Sequence, residues 1–197
     1  MAIKDYIIPD EIQSAVTSGK TMFNIAKKTS HFWLKQSIAL ILPIIIGCVI
    51  GWIITYNLKS TQYEDINNII SIIITILTVL SGFMVTLMLF TGRTSGAKTL
   101  TVDQISLYIN KVSYLFFSQT LTLFIHIVCI ILCLIWFIFQ ETTTNPTILN
   151  ISLITCIGFF NLSLLRILIL PFQIYEIHYF ELISMEDEKL DEFDSDN

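Results

Sequence analysis

The sequence predicts an all-α, polytopic membrane protein in which four transmembrane helices follow an N-terminal amphipathic helix and both ends lie in the cytoplasm. Three observations predict this fold class. Apolar residues make up 54% of the 197 residues and charged residues only 14%, whereas about a quarter of the residues in soluble domains are charged. The charges are concentrated at the two ends and in short loops. The basic residues, finally, fall almost entirely on one side of the apolar stretches.

Four apolar stretches are long enough to cross the hydrocarbon core of a bilayer, which needs about 20 residues at 1.5 Å each. Their apolar residues run continuously instead of alternating, and lipid requires every backbone group to find its partner internally, so helices are expected. We expect two helical hairpins in tandem. The chain divides into a cytoplasmic N-terminal segment (1–36), a transmembrane domain (37–180, with spans at about 37–56, 69–90, 112–139 and 148–170) and an acidic cytoplasmic tail (181–197).

The orientation follows from the basic residues. Excess Lys and Arg mark the cytoplasmic side, and acidic residues count little. The loops after the first and third spans hold a single basic residue, Lys59. The segments on the other side of the membrane, which are therefore expected to be cytoplasmic, hold Lys4, Lys20, Lys27, Lys28, Lys35, Arg93, Lys98, Lys111 and Lys189.

Residues 10–36 place apolar side chains at helical spacing, with lysines between them. This pattern predicts an amphipathic helix on the inner leaflet, where each Lys adds about 1 kcal/mol against anionic lipid. A helix packed against the protein's own cytoplasmic loop explains the pattern equally well. Further along, Thr101 and Gln104 form a capping box that predicts the start of the third helix.

Small and hydroxyl-bearing residues recur along the first two spans and predict close helix packing. Gly47 and Gly51 form a GxxxG pair, which lets two backbones approach in lipid. The second span carries Ser71, Thr75, Thr78 and Gly82 on one face. These faces either pack against other helices or line a polar path through an oligomer. Packing is favoured, because such hydroxyls can bond to their own helix carbonyls.

Two ionisable residues lie inside the spans. His126 is near the middle of the third span, where a histidine could sense or relay a proton. A neutral histidine that is hydrogen-bonded to a hydroxyl of a neighbouring helix is the favoured alternative, because no span contains an Asp or Glu to pass the proton onward. Arg166 falls near the cytoplasmic end of the fourth span and is interpreted first as an anchor that snorkels to the interface. Together they form a possible intramembrane polar site.

No feature predicts catalysis or a cofactor. Cys129 and Cys133 are one helical turn apart, but no further metal ligand is near them in sequence, so they are interpreted as packing residues. The chain contains no P-loop, HExxH or GxSxG motif. A non-enzymatic protein is therefore expected, with the lipid bilayer and other protein chains as its partners and no direct contact with nucleic acid.

The acidic tail is either a solvated segment or a docking segment for a basic protein surface. On charge and topology, the residues expected to contact a partner are Arg93, Lys98, Lys111, Glu186, Asp187, Glu188, Asp191, Glu192, Asp194 and Asp196.

In chain length, in four spans with both ends inside, in the extended start of the third helix and in the acidic tail, the sequence resembles the KwaA family, the membrane subunits of the Kiwa anti-phage defence system. Segments 87–94 (LMLFTGRT) and 171–175 (PFQIY) are similar to RexB-like phage exclusion proteins. The resemblance implies a homo-oligomer in the inner membrane that recruits a cytosolic, DNA-binding, KwaB-like partner. The alternative is a small oligomeric ion channel or pore.

Overall fold

The fold is known from a computed structural model that describes residues 10–27, 31–57, 63–91, 102–143 and 145–195. All regular secondary structure in these residues is helical. The helices are α1 (Asp10–Lys27), α2 (Phe32–Asn57), α3 (Tyr63–Thr91), α4 (Val102–Thr142) and α5 (Pro146–Ser195). Helices α2 to α5 each contain a stretch long and apolar enough to cross a membrane: Phe32–Asn57, Ile66–Thr91, Ile105–Thr142 and Pro146–Tyr179. An all-helical fold with four such helices is therefore confirmed for the residues that the structure describes.

The last two helices are much longer than a bilayer requires. Helix α4 has 41 residues and α5 has 50, which correspond to about 62 and 75 Å at 1.5 Å per residue, against a hydrocarbon core of about 30 Å. Helix α4 begins directly after Thr101, as the capping box requires. Helix α5 passes through Pro171 without ending there, so the helix extends far beyond the predicted end of the fourth span at residue 170.

The N-terminal segment does not form one helix over residues 10–36. Helix α1 ends at Lys27, and Trp33 already belongs to the membrane-crossing helix α2. Between them, His31 adopts a left-handed backbone conformation with φ 54°, which costs an L-residue about 1–2 kcal/mol. Its carbonyl accepts the backbone N–H of Lys35 at 3.0 Å and so starts α2. The prediction of a single amphipathic helix over residues 10–36 was therefore wrong, because a turn at His31 interrupts the helix.

The spatial order of the helices differs from their order in the chain. Helix α2 packs against α5, α5 against α4, and α4 against α3, whereas α2 and α3 have no extensive contact in the described residues. The first of the two predicted hairpins is therefore not packed as one. The end of the bundle where α2 begins is called the basic end below, because Lys35 and Lys111 lie there. At this end α1 packs mainly against α4, with Phe23 beside Phe117 and Ala26 buried.

The core lies between α3, α4 and α5 and has two parts. One part is centred on Leu77 and Trp136, which are fully buried, and the other on Met84 and Leu170. The outward sides of the helices expose large apolar side chains such as Ile41 and Ile45. In a soluble protein such a surface would be costly, but it is what a surface in contact with lipid tails requires.

Candidate functional site

Polar side chains are concentrated where α4 meets α5, in the middle of two apolar helices. Gln119, Thr122 and His126 on α4 and Ser163 on α5 are almost completely buried, and Arg166 on α5 is partly buried. Thr122 and His126 share a face because residues four apart on a helix lie one above the other. These five residues are called the buried polar layer. It includes both ionisable residues that the sequence singled out.

Hydrogen bonds within the buried polar layer join three helices. Arg166 donates its Nε–H to the Thr122 hydroxyl at 3.1 Å, and that hydroxyl donates to the Ser118 carbonyl at 2.8 Å. Gln119 donates its Nε2–H to the hydroxyl of Thr91 on α3 at 3.3 Å. The Arg166 guanidinium thus faces α4 inside the bundle, which differs from the predicted snorkelling anchor. No carboxylate in the described side chains forms an ion pair with it.

Several fully buried polar atoms of the layer have no hydrogen-bond partner within the described residues. They are Gln119 Oε1, both ring nitrogens of His126 and Ser163 Oγ. The expected bond from His126 to a hydroxyl of a neighbouring helix is not formed there. Because an unsatisfied polar group costs several kcal/mol in an apolar medium, this layer is the least satisfied part of the bundle interior. Gln119 and Ser163 were missed by the sequence analysis, since they are not ionisable.

The structure also brings three thiols together. Cys129 and Cys133 on α4 are buried with Cys156 of α5 in the same part of the core. Cys129 Sγ lies 4.0 Å from the Cys156 carbonyl oxygen. The sequence analysis missed Cys156 because it comes from another helix. Among the described residues, no three or more His, Cys, Asp or Glu are arranged to hold a metal ion.

The GxxxG pair of α2 lies against α5. A Cβ atom added to Gly47 would stand 2.8 Å from the Gly158 Cα and 3.0 Å from the Ile157 carbonyl oxygen. One added to Gly51 would stand 3.1 Å from the Ile154 Cα. The absence of side chains at these two positions therefore lets the two backbones approach closely, as the motif predicts.

The hydroxyl-bearing stripe of α3 has a different environment. Ser71, Thr75, Thr78 and Gly82 are all exposed, and no heavy atom lies within 4 Å of a Cβ built on Gly82. Thr75 donates to the Ser71 carbonyl at 2.9 Å, and Thr78 also bonds to its own helix. Helix α3 turns its large aliphatic residues to the core instead. This stripe is hereafter the exposed α3 face, and nothing in the described part of the chain covers it.

A cleft opens between α4 and α5 at the basic end. Lys111 and Glu176 form an ion pair of 3.0 Å across it, and Gln36 of α2 donates its Nε2–H to the Tyr114 hydroxyl at 3.3 Å. The cavity has a volume of about 260 Å³. It is lined by Leu107, Asn110, Lys111, Tyr114, Leu115, Gln173, Glu176 and Ile177. Of these, the sequence analysis had named Lys111 as a candidate docking residue.

The residues expected to contact a partner are only partly described, and of the basic ones only Lys111 is described, on α4. Arg93, Lys98 and Asp196 fall outside the described residues. The other acidic residues of the tail, from Glu186 to Asp194, lie on the last turns of α5, whose backbone is helical to Ser195.

These features define a multi-pass helical membrane protein with a buried polar layer and a helical extension. No protein-family profile, no curated protein and no solved structure matches the chain. The similarity to the KwaA family therefore stays a prediction.

Proposed function

We propose that this chain is a non-enzymatic scaffold and sensor subunit in the bacterial inner membrane. It assembles as a homo-oligomer and docks a cytosolic, DNA-binding, KwaB-like partner during anti-phage defence. Four membrane-crossing helices support the location in a membrane. The sequence resemblance and the distribution of charge support the homo-oligomer and the docking of a cytosolic partner.

The proposed orientation places both termini and the basic end of the bundle in the cytoplasm. Nine of the eleven Lys and Arg residues fall on that side and one on the other, with Arg166 inside a span. Because positive charge is retained on the cytoplasmic side during insertion, this imbalance favours one orientation. Helix α1, which packs against α4 at that end, is then a cytoplasmic or interfacial helix.

The observation that carries the docking proposal is the continuity of α5. Its apolar stretch ends at Tyr179, but the helix runs on to Ser195. The 16 residues from 180 to 195 extend about 24 Å at 1.5 Å per residue. They carry seven acidic residues and one Lys. A helix that presents a high density of negative charge at a fixed distance from the membrane suits the basic surface of a DNA-binding protein.

The experiment compares two forms of this extension. The full-length chain is co-expressed with a cytosolic, DNA-binding, KwaB-like protein and purified in detergent. In one variant the seven acidic residues from 181 to 194 are replaced by Gln or Asn, which keeps the helix and removes the charge. We expect co-purification of the partner to fall at least tenfold, and to weaken with added salt in the unmodified chain.

A matched control replaces the exposed lysines of α1, Lys20 and Lys27, by Gln and should leave co-purification unchanged. Membrane insertion and yield are followed for all variants by extraction and gel filtration. Equal recovery of the partner with the neutralised tail would contradict the docking role.

A pore is the second candidate function, and the unpartnered polar atoms of the buried polar layer favour it. His126, Gln119 and Ser163 would be hydrated in a conducting state. Reconstituted protein should then show a conductance that Arg166→Gln alters. Absence of conductance over a range of voltage and pH would exclude the pore.

A further inference from the structure

The cleft at the basic end contains charges and apolar walls in an arrangement that partner docking does not require. Lys111 and Glu176 face each other across it, with side-chain exposures of 32% and 66%. Leu107, Leu115 and Ile177 form its aliphatic wall. Its Glu176 carboxylate is thus the more exposed member of the pair and can turn towards water, while the stem of Lys111 stays against the helices.

The polar groups around the cleft fit an anionic oxygen ligand. Lys111 is the cationic side chain that lines the cleft. The charges of Lys111 and Glu176 cancel while the ion pair is closed, so the cleft presents positive charge to an anion when the Glu176 carboxylate turns towards water. The side-chain oxygens Gln36 Oε1 and Gln173 Oε1 are buried and have no partner within the described residues. Because an amide side chain has an acceptor end and a donor end, rotation of either side chain by 180° about its terminal bond would offer an NH₂ donor instead.

The position of the cleft distinguishes a lipid from a soluble anion. Both of its walls belong to the apolar stretches Ile105–Thr142 and Pro146–Tyr179, and the stacked rings of Tyr175 and Tyr179 lie on the same part of α5, where aromatic residues mark a membrane interface. The volume of about 260 Å³ is below the roughly 300–1,000 Å³ of pockets that enclose whole ligands. It suits a headgroup whose acyl chains remain in the bilayer.

We propose that this cleft binds the phosphodiester of an anionic phospholipid, with Lys111 as its direct cationic contact and Glu176 as the intramolecular competitor that the phosphate displaces. Basic pockets between transmembrane helices on the cytoplasmic side commonly hold anionic headgroups. The assignment to the inner leaflet rests on the proposed orientation of the chain. The binding itself does not depend on partner docking.

The test measures lipid retained by the full-length protein in detergent, by native mass spectrometry, after addition of phosphatidylglycerol or phosphatidylcholine. We expect phosphatidylglycerol to be retained preferentially. Lys111→Gln should lower its retention about fivefold, the effect of one cation near a membrane surface, and Glu176→Gln should raise it. Glu141→Gln, an exposed carboxylate at the opposite end of α4, is the control for Glu176→Gln and should leave lipid retention unchanged.

The opposite signs of the two variants separate the proposal from a purely structural ion pair. If the pair only clasps α4 to α5, both variants lower the melting temperature together and leave lipid retention unchanged or equally reduced, which overturns the proposal. Displacement of phosphatidylglycerol by millimolar inorganic phosphate would overturn the lipid as the source of the phosphate. The result is independent of the co-purification experiment above.

Discussion

Arg166 shows how a guanidinium is held inside an apolar bundle. A charged residue at the centre of a spanning helix costs about 2.5–3.5 kcal/mol by insertion measurements. The structure offsets part of this cost with a hydrogen bond to the Thr122 hydroxyl at 3.1 Å. Thr122 can accept this bond because its own proton is already donated to the Ser118 carbonyl. The two side chains therefore act as one unit, and removing either one leaves the other without this hydrogen bond.

The coupling between these two residues can be measured with a double-mutant cycle of Thr122→Val and Arg166→Gln. We expect an interaction of about 0.6–1.7 kcal/mol, the range of interhelical hydrogen bonds in membranes. The measurement is the free energy of unfolding in mixed detergent micelles. Thr155→Val is the control, because the Thr155 hydroxyl bonds only within its own helix, to the Ile151 carbonyl, and should be additive with Arg166→Gln. Additive effects of Thr122→Val would contradict the interaction.

At this scale the sequence predicts the ionisable members of the buried polar layer and misses the neutral ones. His126 and Arg166 stand out because charge is rare in a span. Gln119 and Ser163 do not, since their burial depends on which sides of α4 and α5 meet. The direction of Arg166 was unpredictable for the same reason.

At the scale of elements, glycine decides which helices become neighbours. Helix α2 packs on α5 because Gly47 and Gly51 meet Gly158 and Ile154 across a short interaxial distance. The motif in the sequence predicts a close approach but not the partner helix. Hence the packing of α2 on α5 instead of on α3 was not predicted, although both helices were correctly predicted from their length and hydropathy.

Substituting alanine for glycine should separate the packed contact from the exposed α3 face. Gly47→Ala should lower the free energy of unfolding by about 1–3 kcal/mol, the cost of overpacking. Its Cβ would meet backbone atoms of α5 at 2.8 and 3.0 Å, which side-chain rotation cannot relieve. Gly82→Ala should be neutral or slightly stabilising, because the site is open and alanine favours helix by up to about 1 kcal/mol. The changes in the free energy of unfolding of the two variants, measured by unfolding in detergent, should therefore differ in sign or in size. Equal destabilisation by both substitutions would contradict the close packing of Gly47 against α5.

We predict that the exposed α3 face is the interface of the proposed homo-oligomer. Small residues in contact with lipid bury little surface, but between helices they allow close packing. Thr78→Leu combined with Gly82→Leu should leave the fold intact and reduce the assembled species to the monomer. Mass from light scattering in detergent checks this outcome. Phe83→Leu, an exposed site on another side of α3, is the control, and an unchanged mass in the double variant would exclude this face.

At the scale of the whole molecule, the hydropathy and charge of the side chains change along the long axis of the bundle. Lipid-facing aliphatic residues cover the middle of the bundle, the Lys111–Glu176 ion pair and aromatic residues mark the basic end, and the acidic part of α5 lies beyond Tyr179. The sequence predicts this gradient from charge and hydropathy alone. It does not predict that the acidic part is helical, because like charges alone favour a solvated, mobile segment. The helix continues because neither Gly nor Pro follows Pro171.

The continuity of α5 makes a geometric prediction about the acidic extension. Spin labels carried by unnatural amino acids at positions 172 and 192 should be about 30 Å apart between backbones, 20 residues at 1.5 Å each. The distance distribution should be narrow in the full-length protein. Insertion of Gly-Pro after Phe180 should broaden it, because proline breaks the hydrogen-bond ladder and glycine frees the backbone. A broad distribution in the unmodified chain would mean that the acidic residues are tethered flexibly. In that case the extension would not present them at a fixed distance from the bilayer, and docking would depend on charge alone.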